Sequence, residues 1–129
     1  MRARRRWAVH VISAAACVLA VGFVQTSGAS QLVPYGWGNN QSGEVADGTT
    51  LNREKPVAAP SLSGLLTMAT GESHLLGLRS DRTVVAWGHN RSGQLGDGST
   101  LDRHTPVVVS GLANVTSLAA GDSFSVAVR

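Results

Sequence analysis

The stretch V-V-A-W-G-H-N-R-S-G-Q-L-G-D-G-S-T-L-D-R-H-T-P occupies residues 84–106, and a diverged copy of it lies fifty residues upstream. That copy reads G-W-G-N-N-Q-S-G-E-V-A-D-G-T-T-L-N-R-E-K-P over residues 36–56. Trp37 matches Trp87 at an offset of 50 (87 − 37), and the match continues without a gap through residues 57–79. A fixed period of this length indicates a repeat architecture, in which each unit buries its apolar face against a neighbour.

The basic charge of the chain is concentrated at its start. The 129 residues carry a formal net charge of +3, from 11 basic and 8 acidic residues, and four of the basic residues are arginines in the first six positions. From residue 30 onward seven basic residues stand against eight acidic ones, a balance of 7 − 8 = −1. Binding to nucleic acid by counterion release requires a basic patch or stripe, and the repeats have none. We therefore expect no nucleic-acid partner.

The first thirty residues have the layout of an export signal. A basic segment, residues 1–6, precedes an apolar run, residues 7–24, and small polar residues follow as far as Ala29. This order predicts a secretory signal peptide over residues 1–29, in the form of an apolar helix. Because about 18 apolar residues can just span a bilayer, an uncleaved membrane anchor through residues 7–24 is the alternative. Both interpretations predict that the repeats are secreted or extracytoplasmic.

Short apolar runs separated by turn residues fill both repeat units. The runs are about four to six residues long and rich in Val, Leu and Thr, which favours strands over helices. The predicted strands cover residues 65–69, 74–78, 83–87, 106–109, 115–119 and 123–128. Another begins near Pro56, which must lie at a strand start or on a sheet edge because it cannot donate to a ladder.

The pattern therefore predicts an all-β chain. Short strands at even spacing with turn signals between them are typical of a propeller blade. We expect a partial β-propeller of about two four-stranded blades, preceded by the apolar helix of the leader. Residues 30–79 form the first predicted propeller repeat, and residues 80–129 form the second, which is incomplete at its C-terminus.

Several separate positions of the second unit together carry a family resemblance. The motif reads Trp87-Gly88-x-Asn90-x-x-Gly93-Gln94-Leu95-Gly96-Asp97-Gly98, followed by Arg103, Pro106-Val107, Gly111-Leu112 and Ala119-Ala120-Gly121. It resembles the regulator of chromosome condensation repeat, and the resemblance covers residues 33–129. The resemblance implies a blade of about fifty residues, of which about seven usually close a ring in the family. It also implies relatives that act as nuclear exchange factors for small GTPases, or as secreted bacterial propellers that inhibit β-lactamases.

The sequence departs from that pattern at three positions with structural consequences. Ala46 stands where the second unit has Gly96, and Phe124 stands where the first unit has His74. Arg82 stands where the family commonly has glycine. If the turn at that position needs a positive φ, its side chain is strained.

The second unit also stops inside a repeat, because nothing after Arg129 matches residues 80–87. Two blades cannot close a propeller, which typically has about 4–8. Open strand edges invite pairing with other chains. We expect one of three situations: a ring assembled from several copies, completion by further propeller repeats of another protein, or a truncated and barely stable product.

The residues that could act in catalysis do not have the spacing of a catalytic or metal-binding motif. Residues 71–75, G-E-S-H-L, lack the second glycine of a nucleophile elbow and lie between predicted strands, so we interpret them as a turn. The histidines of the repeats show no metal-ligand spacing; they are His74, His89 and His104. The sequence thus predicts no catalytic, cofactor-binding or metal-binding residues. The pattern for N-glycosylation occurs at Asn40, Asn90 and Asn114.

These observations favour an exported, non-enzymatic module that binds another protein through propeller loops. Residues 39–52 and 89–102 are the expected contact surface, because binding residues concentrate on loops held by a rigid scaffold. The predicted partner is an unidentified protein or further propeller repeats, with a homo-oligomer as a further option and no small-molecule substrate. One alternative is a truncated remnant of a longer propeller protein without independent activity. An exported hydrolase that uses Ser73 is the least favoured alternative.

Overall fold

The structure, a computed structural model, describes residues 33–129 in full and the backbone of two strands before them. The strands are β1 (Ser13–Ala14), β2 (Cys17–Gly22), β3 (Val33–Gly38), β4 (Arg53–Ala58), β5 (Leu65–Thr70), β6 (His74–Arg79), β7 (Val84–Gly88), β8 (Arg103–Val108), β9 (Ser117–Ala120) and β10 (Ser125–Val128). A short 3-10 helix, Pro60–Leu62, follows β4. The all-β class predicted from the sequence is confirmed for the described residues.

The strands form three antiparallel sheets that follow the order of the chain. Strands β1 to β4 make the first sheet, β5 to β8 the central sheet, and β9 and β10 the third sheet. Strands that are neighbours in sequence are also neighbours in each sheet, which is the arrangement of a propeller blade. The sheets are offset from the sequence repeats. Each repeat supplies the last two strands of one sheet and the first two strands of the next.

The observed strands overlap every run that the sequence predicts as a strand. Pro56 and Pro106 lie in β4 and β8, which are the last strands of their sheets. A proline on such an edge removes no ladder hydrogen bond from a neighbouring strand. Of the two positions predicted for Pro56, a strand start or a sheet edge, the structure shows the sheet edge.

The two inner strands of the central sheet, β6 and β7, are buried on both faces. One face contacts the region that follows β3; this cluster contains Leu75, Val85, Trp87, Ala46, Ala59 and Leu62. The other face contacts the third sheet and the segments around it; this cluster contains Leu76, Leu78, Val84, Ala86, Leu95 and Val115. Because successive side chains of a strand point to opposite faces, β6 and β7 need apolar residues at consecutive positions to serve both clusters.

The apolar helix predicted for the leader is not found where the backbone is described. Strand β2 runs antiparallel to β3, with Cys17 opposite Gly38 and Gly22 opposite Val33. An apolar run with valines can serve as a strand as well as a helix, and the edge of β3 offers it hydrogen-bond partners. The rest of the leader lies outside the described residues, so the signal peptide stays a prediction. Among the described residues, no helix is long and apolar enough to cross a membrane.

The hairpin between β6 and β7 holds a non-glycine residue in the left-handed region. Arg82 has a φ of 66°, as the sequence suggested for a turn that the family builds with glycine. Its N–H donates to the carbonyl oxygen of Arg79 at 3.0 Å, and the Asp81 carboxylate accepts the N–H of Thr83 at 3.0 Å. A side chain in this conformation brings Cβ too close to the following carbonyl, at a cost of about 1–2 kcal/mol.

Replacing Arg82 by glycine should therefore stabilise the protein by about 1 kcal/mol, because glycine adopts this φ without strain. The measurement is the free energy of unfolding in urea. Ser80→Gly is the matched control, since Ser80 is exposed in the same hairpin and has no positive φ. It should gain nothing, because it only adds freedom to the unfolded chain. An equal gain from both variants, or none from Arg82→Gly, would contradict this account of the turn.

Candidate functional site

Two loops that are repeat equivalents connect the last two strands of the first and central sheets. Residues 39–52 join β3 to β4, and residues 89–102 join β7 to β8. Each loop contains a fully buried asparagine, Asn40 or Asn90. A buried amide without partners is costly, so hydrogen bonds must satisfy both of its ends. The loops are therefore organised around a polar side chain.

The Asn90 side chain ties distant points of its loop together. Its Oδ1 accepts the N–H of Leu95 at 2.9 Å. Its Nδ2 donates to the carbonyl oxygens of Ser99 at 3.1 Å and Leu101 at 3.0 Å. The backbone N–H of Asn90 donates to Oδ1 of Asp102 at 2.8 Å, which closes the two ends of the loop.

Asn40 makes the same set of bonds in the first loop. Its Oδ1 accepts the N–H of Val45 at 2.9 Å. Its Nδ2 donates to the carbonyl oxygens of Thr49 at 3.0 Å and Leu51 at 3.1 Å. Its backbone N–H donates to Oδ1 of Asn52 at 3.0 Å. The two loops thus share one fold although their sequences have diverged.

An aspartate–arginine pair clamps each loop beside its asparagine. Nε of Arg103 donates to Oδ2 of Asp97 at 2.7 Å, and the hydroxyl of Ser99 donates to Oδ1 at 2.8 Å. Burial by itself would raise the pKa of Asp97, but the bonds from Ser99 and Arg103 outweigh it and hold the pKa at about 2. Asp47 has the same setting, in which bonds from Thr49 outweigh burial and lower its pKa.

Trp87 fixes the first loop against the central sheet. Its Nε1 donates to the carbonyl oxygen of Glu44 at 2.9 Å, and its ring is fully buried. Ala46, in the same loop, has a φ of 59°, and the equivalent Gly96 has a φ of 63°. The alanine keeps the left-handed conformation of the equivalent glycine, and it belongs to the buried cluster that contains Trp87.

The loops expose large apolar side chains at equivalent positions. Leu51 and Leu101 are 64% and 65% exposed. The carbonyl groups of these two residues are the ones that accept bonds from Asn40 and Asn90. The backbone is therefore held in place directly beneath each exposed leucine.

His74 contacts Ser125, and not the Ser73 that precedes it in sequence. Its Nε2 lies 2.9 Å from Oγ of Ser125, which itself donates to the carbonyl oxygen of Gln94 at 2.8 Å. Because the Ser125 hydroxyl donates its hydrogen to the Gln94 carbonyl, its oxygen is left to accept from a protonated Nε2 of His74 in this arrangement. Burial, aided by the charge of His89, lowers the pKa of His74. The contact between His74 and Ser125 therefore links β6 of the central sheet to β10 of the third sheet.

The structure shows which asparagines of the glycosylation patterns are buried and whether the candidate metal ligands come together. Asn40 and Asn90 are buried in the folded loops, whereas Asn114 is exposed. The sequence analysis did not predict that Asn40 and Asn90 organise the loops. The signal for this role is that both asparagines recur fifty residues apart, each followed by an aspartate and an arginine at fixed distances. Within the described part of the chain, no group of three or more His, Cys, Asp or Glu side chains could hold a metal ion.

Replacing Asp97 by asparagine should weaken the fold at neutral pH and flatten its response to acid. The folded pKa of about 2 lies below the ordinary value of 3.8, so the charge stabilises the fold above about pH 4. That contribution is lost as the pH falls from about 4 to about 2, and asparagine cannot show this loss. The measurement is the urea midpoint of both proteins between pH 7 and pH 2.

Asp122→Asn is the control for this experiment, since it removes the same charge from an exposed position. Its midpoint at neutral pH should match that of the wild type. Acid curves that run parallel for Asp97→Asn and the wild type would rule out the stabilising role assigned to the Asp97 carboxylate.

Comparison with known proteins places the loops within a described repeat. A sequence profile described as the Regulator of chromosome condensation (RCC1) repeat matches residues 83–128. A second profile with the same description matches residues 67–94. Together the two matches include the loop of residues 89–102 and the third sheet. No curated protein matches the chain.

Solved structures share the fold at low sequence identity. Human WBSCR16 has a TM-score of 0.65 and 17% identity, over 92% of this chain and 41% of its own. Yeast RCC1 (Prp20) bound to Kap60 has a TM-score of 0.60 and 21% identity, over 88% of this chain and 36% of its own. Prp20p from Saccharomyces cerevisiae has a TM-score of 0.57 and 22% identity, over 95% of this chain and 31% of its own.

The chain thus spans between 31% and 41% of these longer structures. With the three antiparallel sheets, the shared fold confirms the partial β-propeller predicted from the sequence. On the strength of the two matched profiles, residues 67–128 of this chain carry the regulator of chromosome condensation (RCC1) repeat.

Proposed function

We propose that this protein is an exported, non-enzymatic module that binds another protein through the loops of residues 39–52 and 89–102. The observation that carries the proposal is the pair of exposed leucines, Leu51 and Leu101, on backbone that buried asparagines hold in place. An exposed apolar group at the same point of both repeats has no role in the packing of its own loop. A second protein that covers both leucines would remove them from water.

The rigidity of the loops suits them to binding. Ordering a flexible loop on association costs free energy, and a loop that is already ordered avoids that cost. In both loops the asparagine and aspartate bonds fix the backbone before any partner arrives. The same loops also expose Gln41 and Arg91, which would supply polar contacts to a partner.

Structural relatives support a protein as the partner. Yeast RCC1 (Prp20) was solved in complex with Kap60, and Prp20p was characterised for its binding to Gsp1p and histones. Those partners belong to longer chains, of which this chain spans only a part. For this protein we therefore propose protein binding as the activity, with a partner defined by an apolar surface that fits two leucines.

We propose export because of the leader, residues 1–29. Its basic start, apolar run and small polar end have the order of a secretory signal, and a membrane anchor would place the repeats on the same side. The balance of −1 from residue 30 onward (7 − 8) gives the exported part no electrostatic reason to bind nucleic acid.

The two alternatives from the sequence have less support. A hydrolase that uses Ser73 would need a base beside that serine, and the imidazole of His74 instead contacts Ser125 on another sheet. An inactive remnant is not favoured, because both loops retain the full set of asparagine and aspartate bonds.

Photo-crosslinking should identify the contact surface. A photoreactive amino acid at Leu51 or at Leu101 is expected to give one discrete adduct with another protein in the cells that make this chain. Leu66 is the matched control, since it is also a leucine and is 58% exposed, but lies on β5 outside the loops. The measurement is mass spectrometry of the adducts.

A common adduct from Leu51 and Leu101 that is missing from Leu66 would support the proposal. Adducts of the same kind and yield from all three positions, or none from the loops, would contradict it.

A further inference from the structure

His74 is an ionisable side chain that is fully buried between the central sheet and the third sheet. It begins β6, and its Nε2 lies 2.9 Å from Oγ of Ser125 at the start of β10. Ser125 in turn donates to the carbonyl oxygen of Gln94 in the second loop at 2.8 Å. One chain of hydrogen bonds therefore joins β6, β10 and the loop of residues 89–102.

The ring of His74 lies where two turns meet. Gly71 is in the turn before β6, and Gly121 is in the turn before β10. A Cβ atom at Gly71 would overlap both the His74 ring and the carbonyl oxygen of Gly121. Because protein interiors are close-packed, the ring has little room to shift unless the two turns move apart.

One nitrogen of this ring has no partner. Among the buried side-chain nitrogen and oxygen atoms of the described residues, only Nδ1 of His74 lacks a hydrogen bond. In the arrangement with Ser125, Nε2 carries the hydrogen and Nδ1 holds a lone pair. A proton taken up by His74 would therefore create a second N–H at Nδ1. That N–H would have no acceptor in hydrogen-bond geometry, and burying a charge without full pairing is costly.

The elements around His74 bring no carboxylate into contact with it. Strands β5, β9 and β10 carry no titratable side chain. Asp97 is paired with Arg103, and Asp102 with His89. The others on the adjoining turns and loop are exposed, so water screens their charges; they are Glu72, Arg91 and Asp122. Within the described part of the chain, His74 thus has no ion-pair partner that would stabilise its charged form.

Burial, together with the charge of His89, lowers the pKa of His74 below its ordinary value of 6.5. The carbonyl oxygen of Phe124 favours the charged form, but it already accepts the N–H of Gly121 at 2.9 Å and does not outweigh burial. The folded protein therefore keeps His74 neutral at pH values where an exposed histidine takes up a proton.

The next repeat shows that this position does not need an imidazole for packing. Phe124 is the repeat equivalent of His74 (124 − 50 = 74). Its ring lies against Gly121 as the ring of His74 lies against Gly71. An aromatic ring that cannot take up a proton therefore fits the same place in the repeat. The titratable nitrogens are a feature of His74 and are absent from its equivalent.

We propose that His74 is an acid-sensitive link between the central sheet and the third sheet. At neutral pH its uncharged imidazole donates to Ser125 and holds β10 against β6. When acid charges the ring, the second N–H finds no acceptor, and the two turns separate so that water reaches it. Strands β9 and β10 then loosen while the central sheet stays folded. This inference depends neither on export nor on the partner proposed above.

The lowered pKa sets the direction of the response. In an open state the ring is in water and has its ordinary pKa of 6.5, whereas the closed state resists the proton. The link is therefore strongest above about pH 6.5. As the pH falls below that value, the open state should gain population by up to about tenfold per pH unit, until the pH reaches the pKa of the closed state.

The test is hydrogen exchange of the full chain at about pH 7.5 and about pH 5.5, with mass spectrometry of peptides from β7, β9 and β10. Protection factors correct for the intrinsic effect of pH on exchange. In the wild type, protection of β9 and β10 should fall by up to about tenfold at the lower pH, and protection of β7 should not. His74→Phe keeps a ring in place and cannot take up a proton, so its protection factors should be the same at both pH values.

His104→Gln is the matched control, since it removes an exposed imidazole from β8. It should respond to pH as the wild type does. An equal loss of protection in His74→Phe and the wild type would overturn the proposal. A loss in β7 as large as the loss in β10 would also overturn it, because the opening would then not be confined to the third sheet.

A measurement on the unaltered chain covers the case in which His74→Phe does not fold. In an NMR titration, the ring signals of His74 should change with a midpoint below 6.5. The amide signals of β10 should change over the same pH range, because the ring and the strand respond together. A midpoint at or above 6.5, or a ring titration that leaves β10 unchanged, would overturn the proposal.

Discussion

The indole ring of Trp87 is the contact on which the array of sheets depends. It is fully buried between the central sheet and the loop that precedes it, and its N–H is satisfied by the carbonyl oxygen of Glu44. A buried aromatic side chain removes roughly 150–250 Å² from water, at roughly 25 cal/mol per Å², so this ring contributes on the order of 4–6 kcal/mol. Its bond to a loop carbonyl also sets the position of one repeat on the next.

The offset between sequence repeats and sheets makes this contact effective. Each repeat ends halfway through a sheet, so neighbouring repeats share strands as well as side-chain contacts. The loop that receives the tryptophan is the loop that the buried asparagine and the aspartate–arginine pair keep rigid. Packing between repeats and the shape of the exposed loop surface are therefore consequences of the same set of residues.

Much of the fold could be predicted from the sequence, because it depends on local patterns. The short apolar runs and the turn residues between them predict the strands, and the match at an offset of fifty predicts that the pattern recurs. The strain at Arg82 follows from the family resemblance, which implies a glycine in that turn. The bonds inside the loops are harder to predict, because the partners of Asn40 and Asn90 are up to twelve residues away. The strand in the leader was also missed, since an apolar run satisfies the pattern of a helix and of a buried strand alike.

The free energy of unfolding of Trp87→Ala tests the central claim most directly. If the ring holds the repeats together, its removal should cost about 3–5 kcal/mol, a large share of the stability of a small domain. Leu101→Ala, which removes an exposed side chain from the second loop, should change the free energy of unfolding by less than about 0.5 kcal/mol. A loss at Trp87 as small as the loss at Leu101 would contradict the account.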